Sequence, residues 1–385
     1  MSAADPTHYK GYVPAMSQLE WNGKELAILP ALGSSGMFEL KGKPSLVREF
    51  KFFQGKVITG AWAPESHTVA LANRIVVGDQ GGQVLIIDAK KGTRRGGYNL
   101  SGPAKFVQAV AVHAKKDAVV SGGMDNTIAL YTESDDPSEP FLRNRKQWAG
   151  EGEFGHDGMI ASLKWHPLEE NQFISAGGDG EVKLWDTASS SCITTYYGHS
   201  SEATSITFPR DVPGGSVFAT CSNDTTVKLW DLRTYNKCVI SLHAAKTEDK
   251  LQATDFFPNG NAIAAGGQGQ STYMWDVRAV KVIAAFKRNN MKVTGVSFSK
   301  SGRALFVSHE DGRVIVWDTF GPQENQKYAI KHDAHFVSTD PKNPKAAAAP
   351  ESVISFCSLK PDGEFLATGS FSSDIKIWGG IKSNT

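Results

Sequence analysis

The sequence predicts an all-β chain of seven four-stranded blades packed radially into a propeller, and three observations predict it. First, a Trp-Asp pair returns at Trp185-Asp186, Trp230-Asp231, Trp275-Asp276 and Trp317-Asp318, in steps of 45, 45 and 42 residues. Fixed periods of this size mark a repeat architecture. Second, weaker copies of the same slot at Ile87-Asp88, Leu130-Tyr131 and Trp378-Gly379 extend the series to 87, 131, 185, 230, 275, 317 and 378, hence seven units. Third, short β-branched and aromatic runs between the pairs alternate with Gly, Pro, Asp and Ser, the punctuation of an all-β array. Radial closure leaves few free sheet edges.

From the start of the chain, residues 1–45 read as a short irregular extension. Pro6, Pro14, Pro30 and Pro44 interrupt it and no heptad pattern is sustained; 15–29 has room for one short helix or strand. The propeller is expected over 46–380, with repeats ending near 88, 132, 186, 231, 276, 318 and 379. Its grammar is clearest in the third unit. Ile160–Trp165 reads as a first strand ending at His166-Pro167, Gln172–Gly177 as a second, Gly178-Asp179-Gly180 as a tight turn, and 181–185 as the third strand. The steps from 131 to 185 and from 317 to 378 are long and imply insertions. The first, roughly 134–146, is acidic and then basic and is expected as a solvated hairpin between a third and a fourth strand. The second, 334–352, is Pro/Ala-rich and is expected as an extended, semi-rigid loop before the last repeat.

Composition narrows the function. Of 385 residues, 40% are hydrophobic and 21% charged, and the net charge is +1. Without a strong basic field, no nucleic-acid partner is expected; Lys90-Lys91 and Arg94-Arg95 read as solvated charges of one loop. Cys192, Cys221, Cys238 and Cys357 are scattered without a CxxC pair, which argues against a zinc or redox site and fits a reducing compartment. The first residues lack the pattern of a secretory leader. No apolar run reaches the length of a membrane span, and neither end signals lipidation. A cytoplasmic protein without membrane insertion is expected.

Candidate chemical sites thin out on inspection. The glycines at 78–82 and 266–269 precede third strands and open no helix, as a phosphate loop requires. His332, Asp333 and His335 lie close together but lack a further ligand at a recognised spacing, so no metal site is expected. No Ser/His/Asp or Cys/His arrangement stands out. The expectation is therefore no catalytic residue, no cofactor and no enzymatic activity.

A period of 40–45 residues ending in Trp-Asp resembles the WD40 repeat. Two units carry a fuller set, His156, Ser175, Asp179 and Trp185, then His199, Thr220, Asp224 and Trp230, with Asp six residues before Trp each time. In WD40 blades similar residues form a buried hydrogen-bonded tetrad that ties a loop to the third strand. Buried polar groups must be paired, so the resemblance implies a structural role, and the repetition of the set argues against a catalytic His-Asp pair.

Other phrases are similar to the β subunits of heterotrimeric G proteins. Asp255-Phe256-Phe257-Pro258-Asn259-Gly260-Asn261-Ala262 resembles the start of their fifth repeat, and Val293-Thr294-Gly295-Val296-Ser297-Phe298-Ser299 the start of their sixth. Leu366-Ala367-Thr368-Gly369-Ser370 with Ile375-Lys376-Ile377-Trp378 resembles their last, and Ser121-Gly122-Gly123-Met124-Asp125-Asn126 their second. The resemblance spans roughly 46–379. It implies a propeller closed by an N-terminal strand, here expected at 47–53. It also implies a partner-binding top face comprising Lys56, Ile58, Phe106, Gln108, Met124, Met159, Glu202, Gln268 and Phe371. Lys56 matches the family's lysine, Glu202 stands for an aspartate and Met124 for a leucine. Phe106 and Phe371 replace tryptophans, Ile58 and Met159 replace tyrosines, and Gln268 replaces an aspartate.

The family's γ-binding N-terminal helix is not evident in residues 1–45. With the altered anchors, this counts against a γ partner and against Gα. Other proteins are the expected partners. The first reading is a scaffold or assembly adaptor, for example in a cytoskeletal or ciliary complex, and the second is a signalling β subunit that binds Gα and effectors. A third follows from Trp230-Asp231-Leu232-Arg233 and Trp275-Asp276-Val277-Arg278, which resemble the WDxR box of substrate receptors of cullin-RING ubiquitin ligases and would make Arg233 and Arg278 docking residues.

Overall fold

A computed structural model describes residues 45–379 apart from 52, 54, 64–72, 100–105, 117, 133–142, 149–154, 213, 235–236, 245–248, 270, 288–290, 321–325 and 332–352. The extension before residue 45, the Pro/Ala-rich stretch 334–352 and the group His332, Asp333 and His335 lie outside the described residues. Seven four-stranded antiparallel sheets form the blades. The inner strands are Val57–Trp62, Val107–Val112, Ile160–Trp165, Ala203–Thr207, Leu251–Phe256, Val293–Phe298 and Ile354–Leu359. Each packs against the inner strands of both neighbouring blades, and the ring closes where the first meets the seventh. No helix of the described residues is long and apolar enough to cross a membrane.

Six blades take their four strands in chain order; the seventh does not. Its outer strand is Ser45–Phe50, paired with Ile375–Gly379 from Ser45 opposite Gly379 to Phe50 opposite Ile375. The closing strand thus begins and ends earlier than the expected 47–53. Its partner is only five residues long, and this register exhausts it before Lys51. The closure is held by charge as well as by backbone. The Lys376 ammonium lies 3.4 Å from Glu49 of the closing strand and 3.5 Å from Asp374. Arg48 donates to the Lys90 carbonyl of the first blade at 2.8 Å.

The same seam is sealed nearer the axis. Trp62 Nε1 donates to the Ser358 carbonyl at 2.9 Å, joining the first and seventh inner strands. The Phe356 ring fills the space that a β-carbon would need on Gly60, 2.3 Å from Cζ, or on Gly369, 2.1 Å from Cε1. Both positions are glycine because the ring passes directly over the backbone.

The core lies between blades. Trp185 and Phe173 of the third blade pack with Trp148 and Ile128 of the second, and Trp230 and Phe218 of the fourth with Ile174, Leu184 and Tyr196 of the third. Each Trp-Asp pair divides its work. The Trp enters an interblade core; the Asp caps the turn into the outer strand. Asp186 accepts from the Ala188 and Ser189 amides at 3.1 and 3.0 Å, and Asp276 from those of Arg278 and Ala279 at 2.8 and 2.7 Å.

Three local expectations change. The third strand of the third blade runs Val182–Asp186, one residue later than expected. Arg94 and Arg95 lie in the outer strand Thr93–Asn99 rather than in a loop; Arg94 pairs across from Ile87, and the register shift between Ile86 and Ile87 skips Arg95. The basic end of the first insertion is likewise a strand, Arg143–Trp148, because residues 128–132 supply an edge for it to pair with. All four cysteines are free thiols; burial pushes Cys221 and Cys357 up to about 12.

Candidate functional site

Every inner strand carries the same irregularity. Its register against the second strand shifts between its first and third residues, at Val57/Thr59, Val107/Ala109, Ile160/Ser162, Ala203/Ser205, Leu251/Ala253, Val293/Gly295 and Ile354/Phe356. A bulge leaves one residue unpaired and re-aims its side chain. The skipped residues are Ile58, Gln108, Ala161, Thr204, Gln252, Thr294 and Ser355. All seven line a cavity of about 490 Å³ at one mouth of the central channel.

Seven equivalent backbone hydrogen bonds frame that mouth. The residue after each second strand donates its N–H to the carbonyl of the residue before the inner strand. The pairs are Gln80 to Lys56 at 2.8 Å, Met124 to Phe106 at 3.2 Å, Gly178 to Met159 at 2.8 Å, Asn223 to Glu202 at 3.0 Å, Gln268 to Lys250 at 2.8 Å, Glu310 to Lys292 at 3.0 Å and Phe371 to Val353 at 3.0 Å. The nine candidate residues all fall on these three register positions. Ile58 and Gln108 are bulge residues. Lys56, Phe106, Met159 and Glu202 precede an inner strand, whereas Met124, Gln268 and Phe371 follow a second strand.

Six of the nine, Ile58, Gln108, Met159, Glu202, Gln268 and Phe371, line the cavity itself. Lys56 joins them by placing its ammonium 5.1 Å from the centroid of the Phe371 ring, a cation–π contact. Phe106 and Met124 stay outside the cavity wall; Met124 is 44% exposed. Reading single positions missed Gln252, Asn223, Lys292 and Glu310. Asn223 donates to Glu202 at 2.7 Å and accepts from the Gln252 carboxamide at 2.7 Å, so side chains link two loops of the fourth blade to the inner strand of the fifth. Lys292 pairs with Glu310 at 3.6 Å. The signal that finds them is the repeat register, applied to all seven units. The face offers carboxamides, hydroxyls, a thioether, an aromatic ring and lysines, which are the groups of surface recognition.

Elsewhere the candidates serve the blade. The His156 Nδ1 lies 2.8 Å from Asp179, its Nε2 lies 2.6 Å from the Ser175 hydroxyl, and Trp185 Nε1 donates to that hydroxyl at 2.8 Å. His199, Asp224, Thr220 and Trp230 repeat the arrangement at 2.8, 2.7 and 2.8 Å. An ionised carboxylate only accepts, so Nδ1 carries the N–H that donates to Asp, and Nε2 accepts a hydrogen bond from the hydroxyl. Burial pushes the Asp179 carboxyl up, but hydrogen bonds from His156 and the Glu181 and Asp157 amides outweigh it and hold it below the usual carboxylate range. Asp224 is held lower still, with His199 and Thr226 overcoming its burial.

The other blades keep parts of the set. Trp378 donates to Thr368 at 2.9 Å. In the fifth blade Ala265 takes the place of the hydroxyl, and Trp275 donates to the His243 carbonyl at 3.2 Å instead. Tyr273 there bonds to Asp249, and burial with that carboxylate pushes the phenol up to about 12.

Arg233 and Arg278 sit in turns between third and outer strands, at the opposite end of the blades from the cavity. The Arg233 guanidinium grips its own Asp231 through Nε at 2.9 Å and Nη2 at 2.6 Å, with half of the side chain exposed. Arg278 donates its backbone N–H to Asp276 at 2.8 Å.

A family model described as "WD domain, G-beta repeat" matches residues 151–186, 190–231, 280–318 and 347–379. The first two segments carry the complete tetrads. The chain is also similar to proteins named guanine nucleotide-binding protein subunit beta. That of Solanum tuberosum is 26% identical over 341 residues, covering 86% of this chain and 82% of the relative. That of Zea mays is 26% identical over 347 residues with the same coverage. That of Arabidopsis thaliana is 25% identical over 338 residues, 84% of this chain and 80% of the relative.

Proposed function

This chain is a WD40-repeat protein similar to the G-protein β subunits, and from that premise we propose that it is a non-catalytic adaptor in a larger assembly, holding another protein at the upper mouth of its channel. Propellers of this kind are protein-interaction scaffolds and are generally non-catalytic. The observation that carries the reading is the convergence of three register positions from seven blades on one face rich in recognition groups. We place the protein in the cytoplasm.

The adaptor is preferred over a signalling subunit because of what occupies the anchors. Aromatic anchors dominate interface energies. Phe106 and Phe371 stand where the resembled family has tryptophan, and Phe371 is already engaged by Lys56. The names of the relatives, and Lys56 itself, favour the second reading, a β subunit that binds Gα. The test is purification from the native cell with mass spectrometry of the bound proteins. A stoichiometric partner other than Gα and γ, released by Met124→Ala with Phe371→Ala, is expected. Stoichiometric Gα with a γ-like subunit would overturn the adaptor. Arg233→Ala with Arg278→Ala is expected to leave every partner bound; loss of a cullin adaptor in that variant would establish the ligase reading instead.

A further inference from the structure

The lower half of the channel carries different chemistry from its upper mouth. The fifth residue of each inner strand forms a ring there: Ala61, Ala111, Lys164, Thr207, Asp255, Ser297 and Ser358. All but Ala111 line a cavity of about 250 Å³, which Arg210 also lines from the segment after the fourth inner strand. Arg210 and Asp255 satisfy each other. Arg210 donates through Nη2 to Asp255 at 2.9 Å and through Nη1 to the Phe298 carbonyl at 3.1 Å. Asp255 also accepts from the Thr207 hydroxyl at 3.1 Å and the Phe298 amide at 2.8 Å.

Lys164 is left over. Its side chain is exposed to the channel, and it forms no hydrogen bond or ion pair with any described residue. The surrounding wall pushes its pKa down, with Asp255 opposing that shift and Arg210 adding to it. In a ring of seven, the wall opposite blade three is the junction of blades six and seven, which present Ser297 and Ser358. Their hydroxyls donate to no other described residue. The one carboxylate acting on this cation, Asp255, is already bonded to Arg210, Thr207 and the Phe298 amide, so the Lys164 ammonium faces two free hydroxyls across a cavity large enough for a small ion. The wall that desolvates Lys164 also strengthens Coulomb attraction relative to the open surface, and charge-assisted hydrogen bonds are the strong ones.

We propose that the lower channel is a binding site for one small oxyanion of phosphate size, held by the Lys164 ammonium and the hydroxyls of Ser297 and Ser358. The anion is free phosphate or the phosphoryl group of a small metabolite. Calorimetric titration of the full chain with inorganic phosphate is expected to show one saturable site. Lys164→Met is expected to weaken it at least about tenfold, and Ser297→Ala with Ser358→Ala several-fold, the loss of charge-assisted contacts. Phe371→Ala, at the opposite mouth, is expected to leave it unchanged. Glycerol phosphate separates the sources: binding as tight as inorganic phosphate assigns a phosphoryl metabolite, and binding of inorganic phosphate alone assigns the free ion. If Lys164→Met does not fold, NMR of the methylated lysines in the wild-type chain decides, because phosphate must raise the pKa of Lys164. No saturable phosphate binding, equal affinity in folded Lys164→Met, or an unmoved Lys164 titration overturns the proposal.

Discussion

Thr220 and Ser175 each serve two partners with one hydroxyl, accepting from Trp and donating to His. Thr220→Ala is expected to leave the Trp230 N–H and His199 Nε2 without that partner in a buried site. It should cost about 1–3 kcal/mol in a urea titration, with Thr220→Ser recovering most of it. Asp179 and Asp224 titrate below their usual range in the folded chain. A carboxyl depressed on folding contributes stability above its unfolded pKa of about 4 and loses it as pH falls through the folded value. Asp179→Asn with Asp224→Asn is thus expected to flatten the dependence of stability on pH below about pH 4, measured by urea unfolding at successive acid pH values. At this scale the sequence was readable, because the spacing between His, hydroxyl, Asp and Trp survives in the chain itself. Ala265 and its neighbours Tyr273 and Asp249 were not readable, since their substitute bonds pair residues with no recurring interval.

Among the elements, the seam between the first and seventh blades combines a borrowed strand, a side-chain ion pair and one ring lodged over two glycines. Gly60→Ala and Gly369→Ala are each expected to destabilise the fold by about 1–3 kcal/mol through overpacking, measured by thermal unfolding, and Phe356→Leu should relieve part of that cost. Strand identities followed from alternation and turn residues. The bounds of Ser45–Phe50 did not, because they depend on the length of a partner strand about 330 residues away. The inner-strand bulges were equally hidden. Nothing in Ile58, Gln108, Ala161 or Gln252 distinguishes a skipped residue from a paired one; the shift exists only between two strands.

In the whole molecule, ring closure gathers equivalent positions from seven repeats onto two ends of one channel. At the upper mouth, Met124→Ala with Phe371→Ala should release the bound partner in a pull-down while changing urea stability by less than about 1 kcal/mol, as expected for rim side chains that support no core. The repeat count, the all-β class, the tetrads and the likeness to G-protein β subunits were decided by the sequence alone, because each rests on intervals along the chain. Which bulge residues meet at one mouth, which lysine is left unpaired beneath them, and where the closing strand ends were decided only by the tertiary structure. Those facts depend on the closure of the ring, which brings blade three opposite blades six and seven and lays the start of the chain against its end; no interval in the sequence encodes a distance across the axis.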